Sequence, residues 1–453
     1  MRFSSINIII FIFLSVSVFQ YGTVGQEKES LTLTLADAIG MALEKNWDIQ
    51  ISNQDVLKAE EQINEAYANA YPRLELSGQY VRYVELPVMF IPPNTAFNPS
   101  PNTMTFKLGS DNSYNGTISL SQVLYSQKVN TAIKIADDYS QFARAGSSAT
   151  LQSTVLSVKK AFYSVLLMKE LVKVTKQSYE SALASYNNIS ALYRQGVASE
   201  YDQLRAEVQV ANVQPAMIQT ENNFTLSVNY LKSLLSIDIN TPLEVKGEFD
   251  YTKADSTLIE ETSAAALANN PFLRQLELQE ALLDKSYIIE RSEYFPMLAF
   301  FGQYSYQTQD NTFKFKDYNW AKSMMFGLQL SYTLFDGFRR GARMEQAIID
   351  KQKVTLTRRK VEDGLKIQVL QARLKMNEAE RKIYAQDKNL KQADKTVSIA
   401  QTRFKNGIGT QLELIDTQTA LTFAATNRAQ AIYEYLIAKS DWEYAVSIPI
   451  RKN

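Results

Sequence analysis

The chain contains the same series of segments twice, and this internal duplication limits the folds available to it. Tyr71-Pro72, followed by alternating apolar residues, recurs as Phe295-Pro296 at a spacing of 296 − 72 = 224 residues. The segment around Gly196 recurs around Gly407 at a spacing of 407 − 196 = 211 residues. The copies therefore differ in length within one loop, while the helical part after that loop keeps its length. A long element of fixed length in both copies predicts a fixed distance that both must span.

Two residue types are missing from the sequence, and their absence excludes many catalytic and metal sites. The 453 residues include no His and no Cys. Triads with a His base, zinc sites with imidazole or thiolate ligands, iron–sulfur clusters and disulfides are therefore excluded. The 48 basic and 48 acidic residues balance, so the net charge does not indicate nucleic acid as a partner. We predict a protein that is not an enzyme and has no cofactor.

The first 26 residues have the pattern of an export signal. Arg2 supplies the basic end, residues 6–19 form an apolar run, and small residues follow. The run is shorter than the ~20 residues of a membrane-spanning helix, which argues against an uncleaved anchor. No later segment is apolar enough for a spanning helix, so entry into a membrane would require β-strands. We predict a signal peptide at residues 1–26 and structural repeats at residues 27–240 and 241–453.

After each aromatic-proline pair the hydrophobic pattern changes from helical spacing to strict alternation. Apolar residues alternate with Ser, Gln and Thr, which is typical of strands with one apolar face. The five prolines between residues 84 and 111 predict a long irregular loop. Helices precede the strands in each copy, and the second copy's first helical stretch is expected at residues 258–267. We expect two strands in each copy, around residues 73–84 and 112–125, and around residues 297–307 and 323–335.

Each strand pair is followed by a run long enough to form a helix of roughly 100 Å. Residues 126–194 and 337–404 contain no Pro. A glycine turn ends each run, and Ser199 or Thr410 then offers a side chain that caps the N-terminus of a returning helix. We predict two antiparallel helix hairpins, around residues 126–235 and 337–447.

Four strands in one chain cannot close a transmembrane barrel, because single-chain barrels have ~8 strands or more. An open sheet edge in lipid would leave backbone N–H and C=O groups without partners. The chain must therefore associate with copies of itself, and two chains would supply eight strands whereas three would supply twelve. Only a barrel of more than ~8 strands leaves room for a water-filled lumen.

Several segments, in their duplicated order, resemble the TolC family of outer-membrane efflux proteins. The resemblance covers essentially the whole chain after the signal peptide. It implies a membrane β-barrel joined to a long α-helical barrel, with a homotrimer forming a twelve-stranded barrel and a twelve-helix periplasmic tunnel. The segments that carry it are Leu35-Ala36-Asp37-Ala38-Ile39, Ala42-Leu43-Glu44-Lys45-Asn46, Tyr71-Pro72-Arg73-Leu74 and Leu330-Ser331-Tyr332-Thr333-Leu334-Phe335-Asp336-Gly337.

The same resemblance implies a location and partners. The channel would lie in outer-membrane lipid, with its helical tunnel in the periplasm. It would form the exit duct for an inner-membrane pump of the RND or ABC type, joined through a periplasmic adaptor (membrane fusion) protein. Conduction would be passive, and the cargo would be small molecules such as drugs and other toxic compounds.

Two sites follow from the resemblance. The tips of the helix hairpins receive the adaptor in this family, and here they correspond to Tyr193, Gly196 and Ser199 and to Phe404, Gly407 and Thr410. Glu413 and Asp416 stand where the family carries carboxylates at the pore constriction, and their spacing of three places them on one helix face. The simpler alternatives are that the glycines only end helices and that the carboxylates form a solvated acidic pair.

The chain departs from some members of the family at the gate. Where those members close the tip with a Tyr hydroxyl and an Arg, this sequence has Phe404 and Gly409. Neither residue can make the corresponding hydrogen bonds or ion pairs. We expect closure to rest on other contacts, involving Gln411, Asp416 and nearby Lys or Arg, or to be weaker.

Other functions remain open at this stage. The same fold serves type I protein secretion, and the sequence does not separate that function from drug efflux. A trimeric coiled-coil surface protein without a conducted substrate is a structural alternative, although it explains the duplicated strand pairs poorly. An outer-membrane lipase is the weakest alternative, because that chemistry generally needs a His.

Overall fold

The computed structural model describes residues 31–253 and 269–448. The predicted signal peptide at residues 1–26 and the predicted helix at residues 258–267 lie outside the described residues. The first copy contains β1 (Leu31–Leu33), α1 (Leu35–Lys45), α2 (Trp47–Ala68), β2 (Arg73–Arg82), β3 (Val88–Ile91), β4 (Met104–Lys107), β5 (Asn112–Tyr125), α3 (Gln127–Arg194) and α4 (Glu200–Leu234). The second copy contains β6 (Leu243–Val245), α5 (Pro271–Ser292), β7 (Met297–Asp310), a 3-10 turn (Phe315–Asp317), β8 (Ala321–Ser331), α6 (Arg339–Lys405) and α7 (Gln411–Ala445).

Four strands form one antiparallel sheet that combines both copies. The order is β2-β5-β7-β8, so the strand pair of the first copy lies beside that of the second. β5 and β7 pair along their whole length, with one bulge near Val123. β2 and β8 are the outer strands, and each has one edge that is unpaired within the described residues.

One face of this sheet is apolar and open. The register places Leu76, Ile118, Tyr304 and Met324 side by side across the four strands. All four side chains are exposed, and Leu76 is 77% exposed. The opposite face carries hydroxyl and amide groups, including a hydroxyl pair between Thr117 and Ser305 at 3.2 Å. The predicted alternation is confirmed, and the sheet has one apolar face.

The strands end earlier than predicted at two places. β2 ends at Arg82 and β8 ends at Ser331, whereas the pattern suggested residues 84 and 335. After β8, the Arg340 N–H donates to Asp336 Oδ2 at 3.0 Å, and the Arg340 guanidinium donates to the Thr333 carbonyl at 3.1 Å. Because a side chain satisfies that carbonyl, the segment turns into α6 instead of extending the strand ladder.

The prediction of a wholly irregular loop at residues 84–111 is wrong, because β3 and β4 pair within it. Asn98 organises the turn between them: its Nδ2 donates to the carbonyls of Ile91 at 3.2 Å and Asn102 at 2.8 Å. Its Oδ1 accepts from the Ser100 N–H at 3.2 Å. The prolines therefore belong to an ordered turn. We call residues 84–111 the β3–β4 hairpin.

Four long helices lie side by side and continue from the sheet. α3 has 68 residues and α6 has 67, so each reaches roughly 100 Å. α4 packs on α3, and α7 packs on both α3 and α6. The returning helices α4 and α7 are only 35 residues long, and the shorter α2 and α5 pack on α3, with α5 also on α6. Among the described residues, no helix is both long and apolar enough to cross a membrane.

The start of α2 is tied to the end of α4 by one side chain. Asn46 is 3% exposed, and its Oδ1 accepts from the N–H groups of Asp48 and Ile49 at 2.9 and 3.2 Å. Its Nδ2 donates to the Leu234 carbonyl at 2.8 Å. Asn46 therefore satisfies the orphan donors of one helix and an orphan acceptor of the other. This joint places α2 beyond α4 along α3.

Two large apolar cores and a small cluster between α5 and α6 hold the described helices together. The first includes Val158, Phe162 and Leu231 and is closed by α1 and by the parallel pair of β1 and β6. The second is built on α6 and α7 and includes Tyr435 and Trp442. Tyr163 packs against both cores, and burial together with the Glu443 carboxylate raises its pKa to about 12. Beside it, Lys159 and Glu443 form an ion pair at 2.6 Å, so side chains of both copies meet here.

Candidate functional site

The first hairpin tip connects α3 to α4. Gly196 has a φ of 75°, a conformation that favours glycine, and its N–H donates to the Tyr193 carbonyl at 2.9 Å. Ser199 Oγ accepts from the Asp202 N–H at 3.2 Å and donates to the Asp202 carboxylate at 2.6 Å. This capping box starts α4 and confirms the predicted cap. Val197, between the turn and the cap, is 73% exposed.

The second tip repeats this geometry between α6 and α7. Gly407 has a φ of 73°, and its N–H donates to the Phe404 carbonyl at 3.1 Å. Thr410 Oγ1 accepts from the Glu413 N–H at 3.2 Å, which confirms the predicted cap of α7. Ile408, the counterpart of Val197, is 68% exposed.

The two tips lie at the same end of the helices. Thr422, a few turns into α7, donates through Oγ1 to Ser178 Oγ at 3.2 Å, and Ser178 lies a few turns before the first tip. Each tip presents an exposed apolar side chain, Val197 or Ile408, on a rigidly capped turn. Sequence analysis missed this feature, although the signal was present as an apolar residue directly after each turn glycine.

The two carboxylates of the predicted constriction are both exposed on the first turns of α7, but their surroundings differ. Glu413 Oε2 lies 3.6 Å from Arg403 Nε, and Arg403 Nη2 also donates to the Ile408 carbonyl at 3.3 Å. Asp416 makes no ion pair within residues 31–253 and 269–448, and it borders a groove between α6 and α7 beside Thr396. Sequence analysis expected contacts from nearby Lys or Arg but did not identify Arg403, which lies near the C-terminal end of α6 and pairs with Glu413.

The close approach of the turn to α6 explains why position 409 is a glycine. A Cβ atom at this position would lie 2.9 Å from Arg403 Cβ and 3.0 Å from the backbone nitrogen of Phe404. The Gly409 N–H also donates to the Arg403 carbonyl at 3.1 Å, which holds the turn against the end of α6. A side chain at position 409 would therefore push the turn away from the end of α6.

The proposed closing contacts at Gln411 are not seen in the isolated chain. Gln411 is buried, and neither Oε1 nor Nε2 has a hydrogen-bond partner among the described residues. Within the same residues, no group of three or more acidic side chains is arranged to hold a metal ion. The second tip thus combines an exposed apolar side chain, Ile408, with Glu413, Asp416 and Arg403.

A sequence model of outer membrane efflux proteins matches residues 38–236 and 262–441, which is most of the chain. The chain belongs to the outer membrane efflux protein family. The resemblance to TolC-type proteins is thereby confirmed. Outer membrane efflux proteins form trimeric outer-membrane channels that work with adaptor and pump partners, and the family is one of channels and not of enzymes. No curated protein sequence matches the chain.

Solved structures of outer-membrane channels share the fold. The Campylobacter jejuni CmeC channel is 15% identical and has a TM-score of 0.73, and the match covers 91% of this chain and 85% of the CmeC chain. Vibrio cholerae VceC is 13% identical and has a TM-score of 0.69, and the match covers 91% of this chain and 95% of the VceC chain. The open state of Neisseria gonorrhoeae MtrE is 18% identical and has a TM-score of 0.69, and the match covers 91% of this chain and 88% of the MtrE chain. The predicted fold class of an outer membrane efflux protein, a β-barrel joined to a helical barrel, is confirmed.

Proposed function

We propose that this chain forms, as a homotrimer, the exit duct of a tripartite efflux system that passively conducts small molecules such as drugs. One observation carries the proposal: an open apolar sheet continues almost directly into very long helices. Only Ser126 separates β5 from α3. Lipid can cover the apolar face of the sheet, and helices of roughly 100 Å reach from the membrane far into the periplasm.

The unpaired edges support association of three copies. Pairing of β2 with β8 of a neighbour removes both edges of the four-stranded sheet, and three copies supply twelve strands. Twelve strands exceed the ~8 that side chains alone can fill, so a water-filled lumen results. The outer helices α4 and α6 also carry exposed apolar side chains, among them Leu226 and Tyr230 on α4 and Leu374 and Tyr384 on α6. Neighbouring copies would cover these faces and complete a twelve-helix tunnel.

The tips are proposed to receive the adaptor. The turns at Gly196 and Gly407 are fixed by backbone hydrogen bonds and by the caps at Ser199 and Thr410. Such rigid turns present Val197 and Ile408 without a large entropic cost on binding. An adaptor bound at the tips would connect the duct to an inner-membrane pump of the RND or ABC type.

Glu413 and Asp416 are proposed to line the constriction at this end. In a trimer, each position would form a ring of three carboxylates, which raises the local cation concentration and impedes anions. Arg403 lies beside Glu413 and offsets part of its charge. Asp416 would therefore contribute most of the negative potential.

Site-specific cross-linking in native envelopes tests the proposal, because the chain has no other thiol. Val197→Cys and Ile408→Cys are better positions than the capping residues Ser199 and Thr410, since substitution of a cap costs ~1 kcal/mol. Asn64→Cys, exposed on α2 far from the tips, is the matched control. We expect an adaptor to be attached to the tip variants and not to the control.

The pump recovered with the adaptor decides between cargo classes. A proton-driven pump supports efflux of small molecules, whereas an ATP-driven transporter that exports a protein supports type I secretion. Single-channel current in a planar bilayer separates both from a structural coiled-coil protein. Folded trimers without current and without an attached adaptor would contradict the duct.

A further inference from the structure

The β3–β4 hairpin has an unusual surface. Residues 86–106 contain no Asp, Glu, Lys or Arg, although charged residues make up 21% of the chain. Apolar side chains of this uncharged segment are nevertheless open to solvent in the single chain. Phe97 is 86% exposed and Phe90 is 68% exposed, and Met89, Met104 and Phe106 are also exposed.

This surface lies on an ordered hairpin and not on a flexible loop. A pair of four-residue strands is only marginally stable by itself in water, and here the turn between the strands stabilises the pair. Asn98 is 1% exposed and bonds to both ends of the turn, and the Asn94 N–H donates to the Ser100 carbonyl at 3.0 Å. An ordered hairpin that exposes several large apolar groups indicates a contact that the single chain does not supply.

The hairpin projects from the edge of the sheet. The Tyr83 N–H donates to the Asp111 carbonyl at 2.8 Å, and the Leu108 N–H donates to the Pro87 carbonyl at 2.9 Å. These bonds continue the β2–β5 ribbon into the hairpin, at the end of the sheet opposite the helices. Because β2 is an outer strand, the hairpin starts on the side of the sheet where the next copy must pair.

The loop between β7 and β8, which is the counterpart of the hairpin in the second copy, packs against the ends of the strands. The ring of Phe315 lies 5.4 Å from that of Tyr114, and the ring of Tyr318 lies 5.6 Å from it. The Asp111 N–H also donates to Asn311 Oδ1 at 2.8 Å. These contacts hold the second loop against the strand ends, whereas the β3–β4 hairpin continues the β2–β5 ribbon. A trimer has three such hairpins.

We infer that the β3–β4 hairpins of three copies of this chain pack against one another across the outer mouth of the duct and form an apolar seal. This inference rests on the proposed trimeric duct. Around a threefold axis each side chain meets its own counterpart, so charged residues in the packed segment would repel their copies, and residues 86–106 carry none.

The reach of the hairpin is sufficient for this contact. Twelve strands spaced ~4.8 Å apart and tilted by ~40° give a barrel radius of roughly 12 Å. Residues 83–92 can extend by up to roughly 30 Å at ~3.3 Å per residue. The phenylalanines can therefore reach the axis, where apolar side chains restrict the passage of hydrated ions.

Two variants with one thiol each test the seal in native outer membranes. Phe97→Cys places the thiol near the tip of the hairpin, and Lys316→Cys places it on the exposed second loop as a matched control. With a short bismaleimide, we expect a cross-linked dimer band for Phe97→Cys and at least about tenfold less for Lys316→Cys, because only the hairpins meet near the axis. A bimane label at position 97 that is quenched by brominated lipid, without cross-linking, would place the hairpin in the membrane and overturn the seal.

Current provides the second measurement. The double variant Phe90→Ser and Phe97→Ser leaves Asn98 and the strand pairing intact, and we expect it to raise single-channel conductance about twofold or more. The trimer band and the presence of current report on the duct itself. Intact trimers with current, but without cross-linking and with unchanged conductance, would reject the seal and leave the duct standing. Absence of trimers and of current in the wild-type protein would reject both the duct and the seal.

Discussion

Arg403 and Glu413 face each other across the second hairpin tip, with Arg403 Nε 3.6 Å from Glu413 Oε2. Both side chains are about half exposed, so solvent screens the ion pair and it adds at most about 1 kcal/mol to stability. The larger effect of the ion pair is on the local electrostatic potential. A positive charge lies beside one of the two tip carboxylates, whereas Asp416 has no ion-pair partner in the described part of the chain. The two positions are therefore electrostatically unequal.

The inequality predicts different effects on ion selectivity. Asp416→Asn should lower the preference of the channel for cations about twofold or more, and Glu413→Gln should lower it less, because Arg403 already offsets that charge. Arg403→Gln should raise the preference. Reversal potentials in a KCl gradient measure all three variants, and the differences should shrink at ~1 M salt, where the Debye length is ~3 Å. Unchanged selectivity in Asp416→Asn would place this residue outside the pore.

Much of the fold could be predicted because its signals are local. Strict alternation in the strands and proline-free runs in α3 and α6 do not depend on distant contacts. The β3–β4 pair could not be found in this way. It depends on Asn98, whose bonds to carbonyls of Ile91 and Asn102 stabilise a turn that proline content alone predicts to be irregular.

The candidate site shows the same division. The caps at Ser199 and Thr410 were predictable, because an N-cap bonds within its own first turn. The pairing of Arg403 with Glu413 required the register of α6 against α7, and the close approach at Gly409 required the path of the turn. Neither follows from residue spacing along one helix.

Asn46 provides a test of the joint between α4 and α2. Asn46→Ala removes two cap hydrogen bonds and the bond to the Leu234 carbonyl, so we expect a loss of about 2 kcal/mol in the free energy of unfolding. Asn46→Asp retains the cap oxygen and loses the donor, and its effect should be intermediate. Thermal dissociation of detergent-solubilised trimers measures the loss. Asn64→Ala, an exposed position on α2, is the control and should change little; an equal loss there would argue against the joint.

Tyr163 predicts a sensitivity to alkaline pH. Burial and the neighbouring Glu443 raise its pKa from 10.0 to about 12, so the folded chain holds the phenolic proton more tightly than the unfolded chain does. This stabilisation is complete below pH 10 and is lost as the pH rises towards about 12. Tyr163→Phe should therefore lose less stability over this interval than the wild type in denaturant titrations. Tyr384→Phe, at an exposed position on α6, should follow the wild type; parallel curves for all three proteins would contradict the assignment.

The close packing at Gly409 predicts the effect of adding a side chain to the second hairpin tip. Gly409→Ala places a Cβ against the backbone of Arg403 and Phe404, so we expect a loss of about 1–3 kcal/mol, as for other overpacked sites. Gly364→Ala is the matched control, because its Cβ meets nothing within 4 Å inside α6 and should stabilise the helix by about 0.5–1 kcal/mol. Thermal dissociation of the trimers compares the two variants. If Gly409→Ala proved neutral, the turn would be free to shift away from α6, and the close approach at this position would not restrict which residue the tip can carry.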